Sequence, residues 1–192
     1  MDKISVFEKE ISYIKDDRLK ENIKIMINLL PDYFFKVPAS STGKYHPDFA
    51  QGTSGLVRHT KAAVRFAYEI INNNSIGYIF NDLEKDLIIM ALIMHDGCKH
   101  GIVQSKYTIV EHPLVVSKLI KDNKDKLTLT NDELELLCSM IESHMGEFNK
   151  DFQGNEVLPR PLDKYSKFVH MCDFLASKKF ININFESDNI VD

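Results

Sequence analysis

The segment Leu87 to Met94, LIIMALIM, is eight apolar residues without a break, and it runs directly into His95 and Asp96. An apolar run with no polar face implies an element enclosed on all sides. A carboxylate at the end of such an element is costly to desolvate unless something pairs with it. Gly97 and Gly101 follow closely. The chain must therefore fold around this segment and place a partner opposite Asp96.

The flanking sequence reads as helices. Ile4, Phe7, Ile11 and Ile14 recur at steps of three or four, which predicts an amphipathic helix over residues 3–15. A second helix is expected from about Leu19 to Leu30, ending at Pro31. Residues 36–55, KVPASSTGKYHPDFAQGTSG, hold two prolines and three glycines and read as a long loop. Long loops inside compact domains are often functional. A helix from Leu56 to Ile71 places His59, Ala63, Ala67 and Ile70 on one face. Asn81 with Glu84, and Thr130 with Glu133, match capping boxes that open two further helices. Pro113 fits the first turn of a helix to about Ile120, and another is expected from Leu162 to Lys178. The tail FININFESDNIVD alternates apolar and polar residues, as a short strand or a frayed end would. The expectation is one all-α domain: an N-terminal helical extension (1–35), a helical bundle (36–178) and a C-terminal tail (179–192).

Composition limits the function classes. A chain of 192 residues suits one domain with a full-sized core. The net charge of −4 does not describe a protein coated for nucleic-acid binding, although a local basic groove remains open. No apolar run approaches the roughly 20 residues that span a bilayer, and MDKISVFEKEISYIKDD has no signal-peptide core. Cys98, Cys138 and Cys172 are odd in number and lack paired spacing, as expected of reduced thiols in a cytoplasmic protein. Nothing in the sequence marks an oligomeric state.

All seven histidines lie between residues 46 and 170. His59 is on an inward helix face, His95 ends the buried helix, His112 precedes the proline of another, and His144 ends the apolar run LLCSMIESH. Asp173 lies in a further apolar segment, HMCDFLA. One such histidine is ordinary core. Four of them with two carboxylates are better explained by a cation at their focus, which offsets the desolvation of all six. Six imidazole and carboxylate ligands are too many for one catalytic ion that keeps open positions. Adjacent residues on a helix point about 100° apart, so Asp96 can lean toward a second ion while His95 binds the first. Two ions about 4 Å apart suit in-line displacement at phosphorus. The ligand types are compatible with Mn, Fe, Co, Ni or Zn.

The order His59, His95-Asp96, His112, His144, Asp173 resembles the HD-domain metal-dependent phosphohydrolases. GLVRHT resembles their first histidine motif, and ALIMHDGCKHG their HD-x-x-K-x-G signature, with Lys99 at the lysine and one extra residue before Gly101. EHPLVVSKLI and IESHMGE resemble the two further histidine motifs of the subgroup that binds two metals, and KFVHMCDFLAS the closing aspartate motif. The likeness covers residues 38–177 and is most similar to the HD domain of bacterial 3′–5′ exoribonucleases. Those enzymes carry an additional OB-type domain where this chain has only helices. The HD-GYP phosphodiesterases share the histidine order, but this chain has no GYP word, and His144 is followed by Met145 instead of a second histidine.

The resemblance implies an HD helical bundle in which His59, His95, Asp96 and Asp173 hold one metal ion. Asp96 would bridge to a second held by His112 and His144. A hydroxide between the ions would attack phosphorus, and Lys99 would stabilise charge on the phosphoryl oxygens. The implied substrate is a nucleotide or short single-stranded oligonucleotide. Lys44, His46 and Arg58 are candidate substrate contacts; Arg58, Lys61 and Arg65 also suit a solvated helix face. STGK at 41–44 resembles the end of a phosphate-binding loop, but lacks the first glycine and a preceding strand. His100 is expected to be exposed, His170 to support the ligands or pack in the core, and Cys98 to be no nucleophile. Two other functions fit the same histidine set: an HD-fold di-iron oxygenase, and a non-catalytic module that senses a nucleotide.

Overall fold

A computed structural model describes residues 2–191. Among the described residues the fold is all-α apart from one short hairpin and an isolated bridge between Lys150 and Glu156. The helices are α1 Lys3–Val6, α2 Glu8–Ser12, α3 Asp17–Leu29, α4 Gly55–Ile71, α5 Asp82–Met94, α6 His112–Asp122, α7 Asn131–Glu142 and α8 Lys164–Ala176. β1 Phe185–Glu186 and β2 Asn189–Ile190 pair antiparallel. Among the described residues no helix is long and apolar enough to cross a membrane.

α5 is the central element. It packs against α3, α4, α7 and α8, and residues 86–101 are all buried. Both expected capping boxes form, fixing where α5 and α7 begin. Pro113 sits in the first turn of α6, where a missing N–H costs nothing. Beyond Met94 the chain leaves the α-helix in successive tight turns: Gly97 N–H donates to Met94, Lys99 N–H to Asp96 and Gly101 N–H to Cys98. A Cβ at Gly97 would lie 2.4 Å from Leu30 Cδ2, so a larger residue there would have to displace the buried Leu30 side chain that follows α3.

Two local expectations need correction. The helix expected over 3–15 breaks at Phe7, which leaves the helical region at φ −111°, ψ 20°. This lets the fully buried Phe7 ring meet Phe34 and Phe35, at centroid distances of 6.1 and 6.3 Å. The tail is neither a lone strand nor frayed. Ser187 and Asp188 both take positive φ, the geometry of a tight two-residue hairpin turn. Phe185 packs on Phe49, and Asn189 accepts a hydrogen bond from Lys61 at 2.6 Å, so the hairpin is tied to α4 and the loop before it.

The N-terminal helices share one core with the bundle: Phe7, Ile23, Ile27 and Phe34 belong to the same cluster as Leu56, Leu87 and Ile141. Two polar ties fix them. Arg18 makes a bidentate pair with Glu133 at 2.6 and 2.9 Å, joining α3 to α7. Asp86, buried in α5, accepts the Lys15 and Asp16 backbone N–H groups at 2.9 and 2.8 Å. Asp86→Ala strands both donors, and an unsatisfied buried donor costs about 1–3 kcal/mol. We expect this variant to lose about 2 kcal/mol or more in chemical denaturation. An unchanged midpoint would mean that water replaces the carboxylate.

Candidate metal centre

Five segments deliver the six proposed ligands to one place. His59 projects from α4, His95 closes α5 with Asp96 beside it, and His112 opens α6. His144 lies just past α7, and Asp173 is in α8. The four histidines are 0% exposed and Asp96 1%, so water does not satisfy them.

Three rings are set in the same way. His95, His112 and His144 each place Nδ1 on the carbonyl three residues earlier: Leu92 at 2.6 Å, Ile109 at 2.7 Å and Ile141 at 2.8 Å. Leu92 and Ile141 lie in the last turns of α5 and α7, where carbonyls lack helical partners. These carbonyls, two of them at helix ends, hold the proton on Nδ1, so that each ring, when neutral, leaves Nε2 as a bare lone pair. All three Nε2 atoms are buried with no hydrogen-bond partner, and so is Asp96 Oδ1.

Asp96 stands at the centre. Its Oδ1 lies 3.0 Å from His112 Nε2 and 3.7 Å from His144 Nε2. Its Oδ2 lies 3.5 Å from His95 Nε2 and 3.6 Å from His59 Nε2, and meets the Lys99 ammonium at 2.5 Å. Asp173 Oδ1 is 2.9 Å from His59 Nε2 and 3.5 Å from His95 Nε2. The donors therefore form two groups, one on each oxygen of Asp96. His59 Nε2 and Asp173 Oδ1 are hydrogen-bonded, whereas the unprotonated Nε2 atoms of His95, His112 and His144 repel the carboxylate oxygens they face unless a cation lies between them. Two donors about 2.1 Å from a common ion, at angles of about 90–109°, would be about 3.0–3.4 Å apart. The separations here run from 2.9 to 3.7 Å, within a few tenths of an ångström of that range, so small side-chain shifts would let the residues hold such an ion.

The electrostatics keep the carboxylates charged. Burial opposes the charge on Asp96, but Lys99 and His95 hold its carboxyl well below the usual range. Burial likewise opposes the charge on Asp173 and is outweighed by His59 and His95. Burial dominates at His59 and His112 and lowers both, against the pull of Asp173 and Asp96 respectively. At His95 burial is overcome by Asp96 and Asp173, and its pKa is raised.

The cluster opens into a cavity of about 480 Å³, a size that suits a small-molecule ligand. Asp96, Lys99, His112, His144 and Asp173 line it. Tyr45, Met145, Phe148 and Phe174 give it aromatic and apolar walls. Lys99 reaches this cavity, though its ammonium is held by Asp96. His46 lines it as well, its ring edge-on to His59 at 4.7 Å between centroids, and burial pushes its pKa down to about 2.

The remaining residues singled out in the sequence take varied positions. Lys44 is exposed and does not line the cavity. The Arg58 guanidinium is engaged within the fold: it donates to the Phe49 carbonyl at 2.5 Å and the Gln51 carbonyl at 2.7 Å, and pairs with Asp188. It staples the long loop and the hairpin to α4. Lys61 is not on a solvated face; it is 1% exposed, beside Glu10 at 3.8 Å. His100 is buried, because its N–H donates to the Tyr33 hydroxyl at 3.0 Å, and that hydroxyl donates to Gly101 O at 2.7 Å. His170 supports the site: its Nδ1 bonds the His144 carbonyl at 2.7 Å. A Cβ at Gly146 would fall 2.2 Å from the His170 ring, so glycine is needed for that support. Cys98 is buried and its thiol is pushed up to about 12, which removes it as a nucleophile. The cavity walls Met145, Phe148 and Phe174 escaped sequence reading, although Met145 and Phe174 directly follow ligand candidates.

No protein-family model, curated protein or solved structure matches the chain.

Metal binding to this cluster requires neutral imidazoles. His59 and His112, lowered, are neutral near pH 7, whereas His95, raised, holds its proton to a higher pH. Affinity for Mn²⁺ should therefore climb as pH rises through a value above 6.5 and level off once His95 is neutral. Calorimetry in two buffers of different ionisation enthalpy reads the released proton. Affinity that stays flat from below to above that pH would contradict the assignment.

Proposed function

We propose that this chain is an HD-domain metal-dependent phosphohydrolase that cleaves a phosphoester of a nucleotide or short oligonucleotide. One observation carries the reading: the unpartnered Nε2 atoms of His95, His112 and His144 gather around Asp96, whose Oδ1 is also unpartnered, and Asp96, His112 and His144 line a cavity. The ordered motifs that resemble the HD superfamily are the same residues that converge. His59, His95, Asp173 and one oxygen of Asp96 would hold one ion; His112, His144 and the other oxygen a second. Such ions supply Lewis acidity toward a phosphoryl oxygen and make water a nucleophile near neutral pH.

The chain's own residues do the rest. The helix-end carbonyls hold the rings in one tautomer, so nothing reorganises when the ligands are used. Lys99 neutralises Asp96 and presents its ammonium to the cavity, where it can share charge with a phosphoryl oxygen. The low pKa of His46 keeps it neutral, a donor or acceptor beside the scissile group that adds no charge. Tyr45, Phe148 and Phe174 offer π-faces for a base.

The reading is tested with bis-p-nitrophenyl phosphate and single-stranded oligonucleotides, each with Mn, Fe, Co, Ni and Zn. Metal-dependent hydrolysis abolished by chelation is expected. Lys99→Ala should lower kcat on the order of 10²-fold. Its metal content should be unchanged, because Asp96 without its ammonium remains a charged ligand. Loss of metal in proportion to activity would make Lys99 a residue that only positions Asp96. Iron-dependent O₂ consumption without phosphoester hydrolysis would replace the reading altogether.

A further inference from the structure

Four charged side chains line the cavity: Asp96 and Asp173, Lys99 and Lys178. These four cancel, so each divalent ion held there leaves the cavity positive by two charges. Such a cavity selects an anion, and the cations are not equivalent. The Lys99 ammonium is committed to Asp96 at 2.5 Å. The Lys178 ammonium lies 3.3 Å from the centroid of the Phe174 ring, and no carboxylate of the described residues pairs with it. A cation on an aromatic face keeps its attraction for an anion while its alkyl stem is fixed.

Lys178 lies two residues past the end of α8, and it lines the same cavity of about 480 Å³ as Asp173. A single nucleoside fits a cavity of that size. The same cavity is lined by Ser40, Ser41 and Thr42, three successive hydroxyls. Ser40 Oγ and Thr42 Oγ1 are hydrogen-bonded to each other at 3.4 Å, which sets them side by side and leaves each with capacity for a ligand oxygen. An ammonium and a row of hydroxyls, with no carboxylate of their own, suit the oxygens of a phosphate.

We propose that Lys178, with the hydroxyls of Ser40 to Thr42, forms a second phosphate subsite, so that the preferred ligand carries two phosphates on one nucleoside. This rests on the phosphohydrolase reading for where the first phosphate sits and for the positive charge that bound ions add to the cavity. The substrate class becomes a nucleotide with a second, non-reacting phosphate, such as the terminal residue of an oligonucleotide or a nucleoside bisphosphate. The loop from 36 to 55 then contributes through its hydroxyls and Tyr45, not through Lys44.

The test is equilibrium binding of adenosine 3′,5′-bisphosphate, adenosine 3′- and 5′-monophosphates and inorganic phosphate. Each is titrated into Mn²⁺-loaded and chelator-treated protein. Wild type should bind the bisphosphate at least tenfold more tightly than either monophosphate. Lys178→Gln should erase that advantage, and Lys178→Arg should keep most of it. Because chelation removes turnover, the chelated arm reads the subsite even if the metal reading fails; there Lys178→Gln should still weaken the bisphosphate severalfold. No bisphosphate advantage in wild type, or equal weakening of every probe by Lys178→Gln, overturns the proposal. So does a Lys178 effect on inorganic phosphate alone, which would mark a free-phosphate site. Melting curves matching wild type establish that both variants fold.

Discussion

The site answers to one constraint: a carboxylate stands at the end of a helix that is buried on every side from Asp86 onward. Asp96 is 1% exposed and its two oxygens face in different directions. Lys99 meets one of them, but a single ammonium does not satisfy the four imidazoles that also surround the carboxylate. Desolvating that many polar groups without partners would cost several kcal/mol. The proposed cations remove the cost, and the rest of the architecture arranges for their ligands to arrive from different helices.

The way the rings are held explains why ligands sit at helix ends. A helix leaves its last carbonyls without partners, and His95 and His144 use those of Leu92 and Ile141. One device therefore satisfies the helix terminus and selects the tautomer that points Nε2 inward. The supports extend outward in layers. His170 holds the carbonyl of His144, Gly146 makes room for His170, and Tyr33 clasps the turn from His100 to Gly101. Arg58, Lys61 and the C-terminal hairpin brace the helix that carries His59. These residues act on the site only by keeping its geometry.

The helices were legible because apolar period and capping pairs are local signals; Asn81 with Glu84 and Thr130 with Glu133 mark their helices in sequence and in space. The residues of the cluster were legible too, because a histidine or aspartate at the edge of an apolar run is anomalous wherever it occurs. What stayed hidden depends on tertiary contact. Nothing local tells that Phe7 breaks a helix in order to pack on Phe34, that Arg58 turns to the hairpin, or that Lys61 is buried beside Glu10. Likewise Lys178 and Ser40 are far apart in the chain and meet only as walls of one cavity.

The central claim is that Asp96 joins two metal sites. Crystals grown with Mn²⁺ and measured at an energy where manganese scatters anomalously test it most directly. The account predicts one peak among His59, His95, Asp96 and Asp173 and a second among Asp96, His112 and His144, each within bonding distance of a different Asp96 oxygen. An anomalous map with no peak in the cluster at saturating Mn²⁺, the imidazole Nε2 atoms still bare, would contradict it.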